Sequence, residues 1–211
     1  MKCAVVGSGH VSDLSLFKKR LLNSELIICA DGGARHLIKC GIEPHILLGD
    51  FDSIEGTHLK LFRENGVEVK KYPKEKDMTD MELAAWLAAD KGADEIWLLG
   101  ASGSRLDHTL SNIFFLKRLA QKGIMPVLAD DNNEIYVVMD SIRLKKEDDV
   151  RLSLLSLSEK TEGISSKGLY YPLSDAVLEF GTSMGVSNEF TADEAEISIK
   201  NGILLCLKSR D

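Results

Sequence analysis

Asp50 and Asp52 flank a bulky residue, Phe51, just after the apolar run Ile46-Leu47-Leu48 and Gly49, and Ser53 follows them. The apolar run reads as a short buried strand. In an extended segment residues i and i+2 point the same way, so the two carboxylates would converge on one point. Like charges repel there unless a cation lies between them. Hard divalent cations such as Mg2+ take carboxylate oxygens and commonly keep a substrate phosphate as a further ligand. The same residues also make a good turn, with Asp52 or Ser53 capping the next helix. The pentapeptide alone leaves both readings open.

A second acidic pair, Asp77 and Asp80, stands at a helix start, next to the capping-box pattern Thr79-Asp80-Met81-Glu82. Acidic side chains there gain up to ~1 kcal/mol from the helix dipole, which accounts for either one alone. With Asp50 and Asp52 at the same expected sheet edge, Asp80 becomes a candidate metal ligand. Lys76 serves either as solvated surface or as a counter-charge for phosphate. Gly100-Ala101-Ser102-Gly103-Ser104 leads straight into a helix, whose free N–H groups bind phosphate oxygens well. It matches neither the P-loop nor the dinucleotide-binding glycine pattern, and Gly7-Ser8-Gly9 is a weaker signal still. Arg105 and Asp107 follow the loop. As a surface pair they are worth ~0–1 kcal/mol. As functional groups, Arg105 would hold phosphate oxygens and Asp107 would accept a hydroxyl or amine proton. His108 and Asn112 lie one helical turn apart on a polar face. His10, His36, His45 and His58 show no metal-ligand spacing.

These residues need a scaffold. Residues 3–6, 26–30, 46–48, 67–70, 95–99 and 125–129 read as strands, and 12–22, 34–40, 57–65, 79–91 and 106–121 as helices. The alternation predicts an α/β fold, with a mostly parallel sheet covered by helices on both faces. Ligands bind outside the carboxyl ends of strands in such sheets. The polar clusters at 7–10, 31–33, 50–53, 76–80 and 102–108 all fall at that edge. From Glu134 on, helical periodicity stops. Short alternating runs at 135–139, 142–145, 150–157, 169–173, 177–180, 195–199 and 203–207 predict a C-terminal antiparallel β-sandwich. Lys200-Asn201-Gly202-Ile203 predicts a two-residue hairpin in which Ile199 faces Leu204 and Ile197 faces Cys206. The expected domains are 1–133 and 134–211, with the boundary between about 131 and 141.

The chain has 211 residues, 44% of them hydrophobic, and a net charge of −7. A substantial core follows, and a surface built for nucleic-acid backbones or anionic membranes does not. Cys3, Cys29, Cys40 and Cys206 form no metal-type or redox-type pair, which fits buried hydrophobes in a reducing compartment. No apolar run approaches the ~20 residues of a membrane span, and the apolar part of the N-terminus is too short for a signal peptide. The expectation is a cytoplasmic, soluble protein.

Taken together, Ala30-Asp31-Gly32-Gly33, Gly49-Asp50-Phe51-Asp52-Ser53, Asp77-Met78-Thr79-Asp80 and Ser104-Arg105-Leu106-Asp107-His108 resemble the thiamine pyrophosphokinase family. Gly168-Leu169-Tyr170-Tyr171-Pro172-Leu173 and the stretch from Gly181 to Phe190 resemble its thiamine-binding half, in the bacterial style. The resemblance implies transfer of a diphosphate group from ATP to the thiamine hydroxyl, giving thiamine diphosphate and AMP. It implies Mg2+ on Asp50, Asp52 and Asp80, and phosphate on Arg105. Asp107 would orient thiamine or its hydroxyl. Asp31, Gly32, Gly33, Lys76, Asp77, Thr79 and His108 would belong to the ATP side, and Tyr171, Ser187 and Asn188 to the thiamine pocket. Relatives from eukaryotes carry Trp where this chain has Tyr171, whose aromatic face still stacks on a cationic heterocycle. The resemblance also implies a homodimer, with thiamine held between one subunit's first domain and the other's sandwich. Two readings of other kinds share the acidic pattern. One is a pyrophosphokinase for another heteroaromatic alcohol such as a hydroxymethylpterin. The other is a metal-dependent glycosyltransferase.

Overall fold

The structure, a computed structural model, describes residues 1–52 and 54–210. Ser53, the last residue of the acidic pentapeptide and one of its two expected helix caps, lies outside the described residues. The first part of the chain runs β1 (Lys2–Val6), α1 (Leu14–Leu22), β2 (Leu26–Ala30), α2 (Ala34–Cys40), β3 (Ile46–Gly49), α3 (Gly56–Glu64), β4 (Glu68–Lys71), α4 (Asp80–Asp90), β5 (Glu95–Leu99), α5 (Leu106–Ala120) and β6 (Met125–Ala129). These strands pair in parallel in the order β4-β3-β2-β1-β5-β6.

Strand alternation sorts side chains to two faces. Cys3, Val5, Ile28 and Ala30 pack with Met81, Ala84, Ala85 and Ala88 of α4 and with Phe115, Leu116 and Leu119 of α5. Ala4, Val6, Ile27 and Cys29 pack with Phe17 and Leu21 of α1, Leu37 and Cys40 of α2, and Phe62 of α3. Both faces are covered, as the continuous apolar runs require. All four cysteines are buried, and burial pushes the Cys3 and Cys206 thiols up to about 12.

The chain reverses direction across the sheet between β1 and β5. From β1 it moves outward to β4, then crosses to β5 and β6 on the other side. Such a reversal is where open α/β sheets make a crevice. Here the loops after β1 and β5 are bonded to each other. Gly9 N–H donates to Gly100 O at 2.7 Å and His10 N–H to Ser102 O at 2.8 Å.

The remaining strands are β7 (Asn133–Val138), β8 (Ser141–Lys145), β9 (Arg151–Ser156), β10 (Lys160–Lys167), β11 (Ala176–Glu179), β12 (Glu194–Ser198) and β13 (Leu204–Ser209). β7, β13 and β9 continue the first sheet in antiparallel fashion, making nine strands, while β11-β10-β12-β8 form a separate four-stranded sheet. The two pack face to face over Val138, Leu152, Leu154, Ile164, Leu178, Ile197 and Leu204. The change of period near 134 thus marks a change from parallel to antiparallel within one continuous sheet. Arg20 of α1 ties across that change, pairing with Glu134 at 3.1 Å and donating to Asp130 O at 2.7 Å.

The expected hairpin at Asn201-Gly202 does not form. β12 pairs with β10 and β8, while β13 pairs with β7 and β9, so the turn carries the chain from one sheet to the other. Ile197, Ile199, Leu204 and Cys206 still share one apolar cluster, because they meet across the sandwich instead of across a ladder. The run 169–173 is not a strand, and β10 forms where no strand was expected. Two of its buried positions are Thr161 and Ser166, whose hydroxyls are bonded to Ile203 O at 2.9 Å and from Leu173 N–H at 2.8 Å. Among the described residues, no helix is long and apolar enough to cross a membrane.

Candidate active site

A cleft of about 970 Å³ opens over the carboxyl ends of the parallel strands. Asp31, Asp50, Lys76, Thr79, Asp80, Arg105 and His108 line it, so seven residues marked by the sequence meet there although they come from four separate stretches of chain.

The acidic stretch after β3 is not extended. Phe51 has φ +68, and its ring joins the cluster under α1, α2 and α3. The left-handed turn breaks the i, i+2 argument. Asp50 lines the cleft, but Asp52 is exposed outside it, 3.1 Å from Lys74 Nζ. Asp52 N–H donates to Asp50 Oδ1 at 3.0 Å, so the turn reading of these residues also holds. Phe51 N–H donates to Asp31 Oδ1 at 3.1 Å, which pins β3's end to β2's. Gly49 is required there. A Cβ on it would lie 2.8 Å from Asp31 Cβ, and its φ of +148 is one L side chains rarely adopt.

Asp80 is the first residue of α4, whose cap is Thr79 Oγ1 accepting from Glu82 N–H at 3.2 Å. Only half of the capping box forms, since Glu82 is turned to Trp86 and Arg118. Asp80 Oδ1 lies 3.1 Å from Lys76 Nζ, off the hydrogen-bonding direction, and is buried without a hydrogen-bond partner. A buried carboxylate oxygen left in that state is costly unless something else binds it. Among the described residues, no three His, Cys, Asp or Glu side chains gather as a cation cage. Mg2+ is commonly bound by only one or two carboxylates plus substrate phosphates. Asp50 and Asp80 fit that donor set, and Asp52 would join it only by leaving Lys74.

Positive charge is supplied by Lys74, Lys76, Arg35 and Arg105 along the cleft. Arg105 is forked onto Asp107, with Nε to Oδ1 at 3.2 Å. That bond holds the Asp107 carboxyl below the usual carboxylate range, so Asp107 is a poor proton acceptor at neutral pH. Asp107 is exposed and does not line the cleft, nor does Asp77. Gly32 and Gly33 are buried beneath it, and a Cβ on Gly33 would lie 2.5 Å from Val6 O. Gly33 lets this backbone pack closely against β1.

Several lining residues had little or no signal in the sequence. The β1–α1 loop, Gly7 to His10, is clamped by Arg35, which donates to Ser8 O, and by His36, whose Nε2 lies 2.8 Å from Gly9 O. A carbonyl only accepts, so Nε2 carries the proton and Nδ1 is a buried acceptor with no partner. Burial holds the His36 imidazole below its ordinary 6.5, with the Gly9 bond opposing. As pH falls, the unfolded chain therefore takes up this proton first, and the native state loses stability below about pH 6.5 at up to ~1.4 kcal/mol per pH unit. His36→Gln should show a shallower fall of Tm between pH 7 and 5 than the wild type. Parallel curves would show that His36 does not titrate with folding. Asn112, one turn beyond His108, donates to Ala101 O at 2.7 Å and so fixes the β5–α5 loop.

The second set of expected residues lies on the sandwich, and none of Tyr171, Ser187 and Asn188 lines the cleft of the same chain. Tyr170 and Tyr171 are exposed, with rings edge to face at 4.8 Å. Asn188 is buried. Its Oδ1 accepts from Tyr171 N–H at 3.0 Å and its Nδ2 donates to Tyr171 O at 2.8 Å. Its amide bridges the backbone that carries Tyr171 and so positions that aromatic residue. Ser187 is exposed with φ +60, and its N–H donates to Ser153 Oγ at 3.0 Å.

Comparison with known proteins finds matches in both halves of the chain. Residues 17–128 match the thiamin pyrophosphokinase catalytic domain, and residues 141–204 match the thiamin pyrophosphokinase vitamin B1 binding domain. The chain is 31% identical over 188 residues to the thiamine pyrophosphokinase of Bacillus subtilis (strain 168), covering 88% of each. The crystal structure of thiamine pyrophosphokinase from Bacillus subtilis superposes with a TM-score of 0.89 at 28% identity, over 100% of both chains. That of thiamin pyrophosphokinase from Geobacillus thermodenitrificans gives 0.85 at 28% identity, over 100% of this chain and 98% of the other. Matching in both halves, in order and over nearly its whole length, this chain belongs to the thiamine pyrophosphokinase family.

Proposed function

We propose that this protein is a thiamine pyrophosphokinase that moves the terminal diphosphate of ATP onto the hydroxyl of thiamine, releasing AMP. The observation that carries the reading is Asp80 Oδ1, buried with no hydrogen-bond partner among the described residues, in one cleft with Asp50, Lys74, Lys76 and Arg105. Phosphoryl-type transfer is mostly positioning plus charge stabilisation, and this set supplies both.

Residues 1–133 take the nucleotide and residues 134–211 the thiamine. Asp50, Asp52 and Asp80 are the residues that would hold Mg2+, which supplies positive charge to the phosphate oxygens when bound. Lys74 and Lys76 balance the phosphates once their carboxylate partners turn to the metal. Arg105 adds charge where the transferred group becomes more negative. Asp107 orients Arg105 and the incoming alcohol. Asp31 and Thr79 shape the nucleotide side, with His108 on the facing helix.

The protein works as a homodimer in this reading. Leu106, Leu110 and Phe114 are exposed at successive turns of α5, beside Arg105 and His108. Phe180, Met184 and Val186 are exposed on the sandwich near the Tyr171 segment in sequence. These faces support a second copy bringing its Tyr171 to the first copy's cleft.

The test is an assay of purified protein with ATP, Mg2+ and thiamine, read for both products. AMP and thiamine diphosphate should form one for one, and EDTA should abolish both. ADP with thiamine monophosphate would refute diphosphate transfer. Acceptance of a pterin alcohol in place of thiamine would overturn the assignment of the sandwich.

A further inference from the structure

The two ends of the cleft differ in chemistry. Lys74 and Asp50 stand at its β4–β3 end and Asp130 at its β6 end. Asp80 lies between them, because the next residue, Met81, packs against Gly7 at the end of β1. Two strand spacings, roughly 10 Å, separate β1 from β6, about the reach from the terminal phosphates of a nucleoside triphosphate to its ribose. With the terminal phosphates beside Asp80, as the proposed function requires, the ribose falls at the ends of β5 and β6.

Asp130 is held rigidly there. Its Oδ1 accepts the N–H groups of Asn132 at 3.0 Å and Asn133 at 2.8 Å, and the Asn133 amide at 2.9 Å. Its backbone carbonyl is held by Arg20. Among the described residues its Oδ2 accepts only the Ser102 hydroxyl, at 2.8 Å, and both side chains line the cleft. A carboxylate oxygen has room for a second donor. Beyond it lies a smaller recess of about 230 Å³, which shares Ser102, Asp130 and His10 with the cleft wall. A fixed carboxylate repels phosphate and accepts only donors. The donors a nucleotide offers near its phosphates are the sugar hydroxyls.

We propose that Asp130, oriented by Ser102 and its own turn, accepts a ribose hydroxyl of the nucleotide and selects ribonucleotides over deoxyribonucleotides. The inference rests on the cleft's taking a nucleoside triphosphate, and its test needs no thiamine. The full chain is titrated calorimetrically with ATP, 2′-deoxy-ATP, 3′-deoxy-ATP and inosine triphosphate, each with Mg2+. At least one deoxynucleotide should bind about tenfold more weakly than ATP, the effect of one hydrogen bond to a charged group. Inosine triphosphate should bind as ATP does. Asp130→Asn keeps an acceptor for the Asn132 and Asn133 N–H groups. It should weaken ATP about tenfold and bind the deoxynucleotides as it binds ATP.

Equal affinity of the wild type for ATP and both deoxynucleotides overturns the proposal, even if the variant does not fold. So does a preference that survives in folded Asp130→Asn. Weakening of inosine triphosphate alone would move the contact to the base amino group and also overturn it. ATP binding without any product from thiamine would refute the proposed reaction and leave this inference standing. No nucleotide binding would refute both.

Discussion

Asp80→Asn is expected to lower turnover about a thousandfold while the protein stays folded, the scale set by removing one preorganised charge-stabilising group. Among the described residues Asp80 Oδ1 has no hydrogen-bond partner, and its charge meets only the Lys76 ammonium at 3.1 Å. The helix keeps its Thr79 cap, and Lys76 keeps its bond to Pro73 O at 2.9 Å. What is lost is the favourable position of an acid in the first turn, up to ~1 kcal/mol, or a Tm change of about 2–4 °C for a chain of this size. Steady-state kinetics with a melting curve on the same preparation separate the two effects. Near-normal turnover from folded Asp80→Asn would remove Asp80 from the metal-binding set. Asp52→Asn provides the comparison. Its carboxylate stands outside the cleft on Lys74, so the same change there should cost less than at Asp80. Equal losses would mean that Asp52 swings fully into the cleft during turnover.

Gly9→Ala is expected to cost about 3 kcal/mol or more in stability, at the upper end of overpacking effects. A Tm lower by about 6–12 °C follows for a chain of this size. A Cβ on Gly9 would lie 2.2 Å from Ser102 O and 2.6 Å from Gly100 O. Both are backbone atoms and cannot rotate away. The loops after β1 and β5 would have to part, breaking the Gly9–Gly100 and His10–Ser102 bonds that close the reversal point of the sheet. Activity should fall with stability because both loops line the cleft. Gly41→Ala is the control. Gly41 has φ +63 with no atom within 4 Å of a Cβ, so only the ~1 kcal/mol of a left-handed residue is at stake. Equal melting temperatures for Gly9→Ala and the wild type would show that the loops are not held as closely as their bonds imply.

Much of this protein is determined by its sequence alone. The alternation of short apolar runs with amphipathic segments specifies a parallel sheet covered on both faces, because each run must hide both sides. Once that is known, the edge bearing Asp31, Asp50, Asp80 and Arg105 follows from chain direction, since every crossover returns the chain to the same side. The loss of helical period near residue 134 marks where antiparallel pairing begins. The motifs in both halves carry the family.

Tertiary structure decided the rest, in each case through a contact between distant residues. Phe51 turns left-handed to reach the core, and that separates Asp52 from Asp50. The Asn201-Gly202 turn looks like a hairpin locally, but β12 and β13 find better partners in different sheets. β10 could not be read from hydrophobicity, because buried Thr161 satisfies its hydroxyl on Ile203 O, far along the chain, and buried Ser166 on the Leu173 N–H. That the Asn188 amide bridges the backbone of Tyr171 is visible only in the fold. His36, Ser102 and Asp130 carry no motif. They acquire roles only because sheet order brings the ends of β1, β5 and β6 together. Local pattern specifies which elements form and which edge they offer, but a side chain's partner is set by packing between elements that no local spacing encodes.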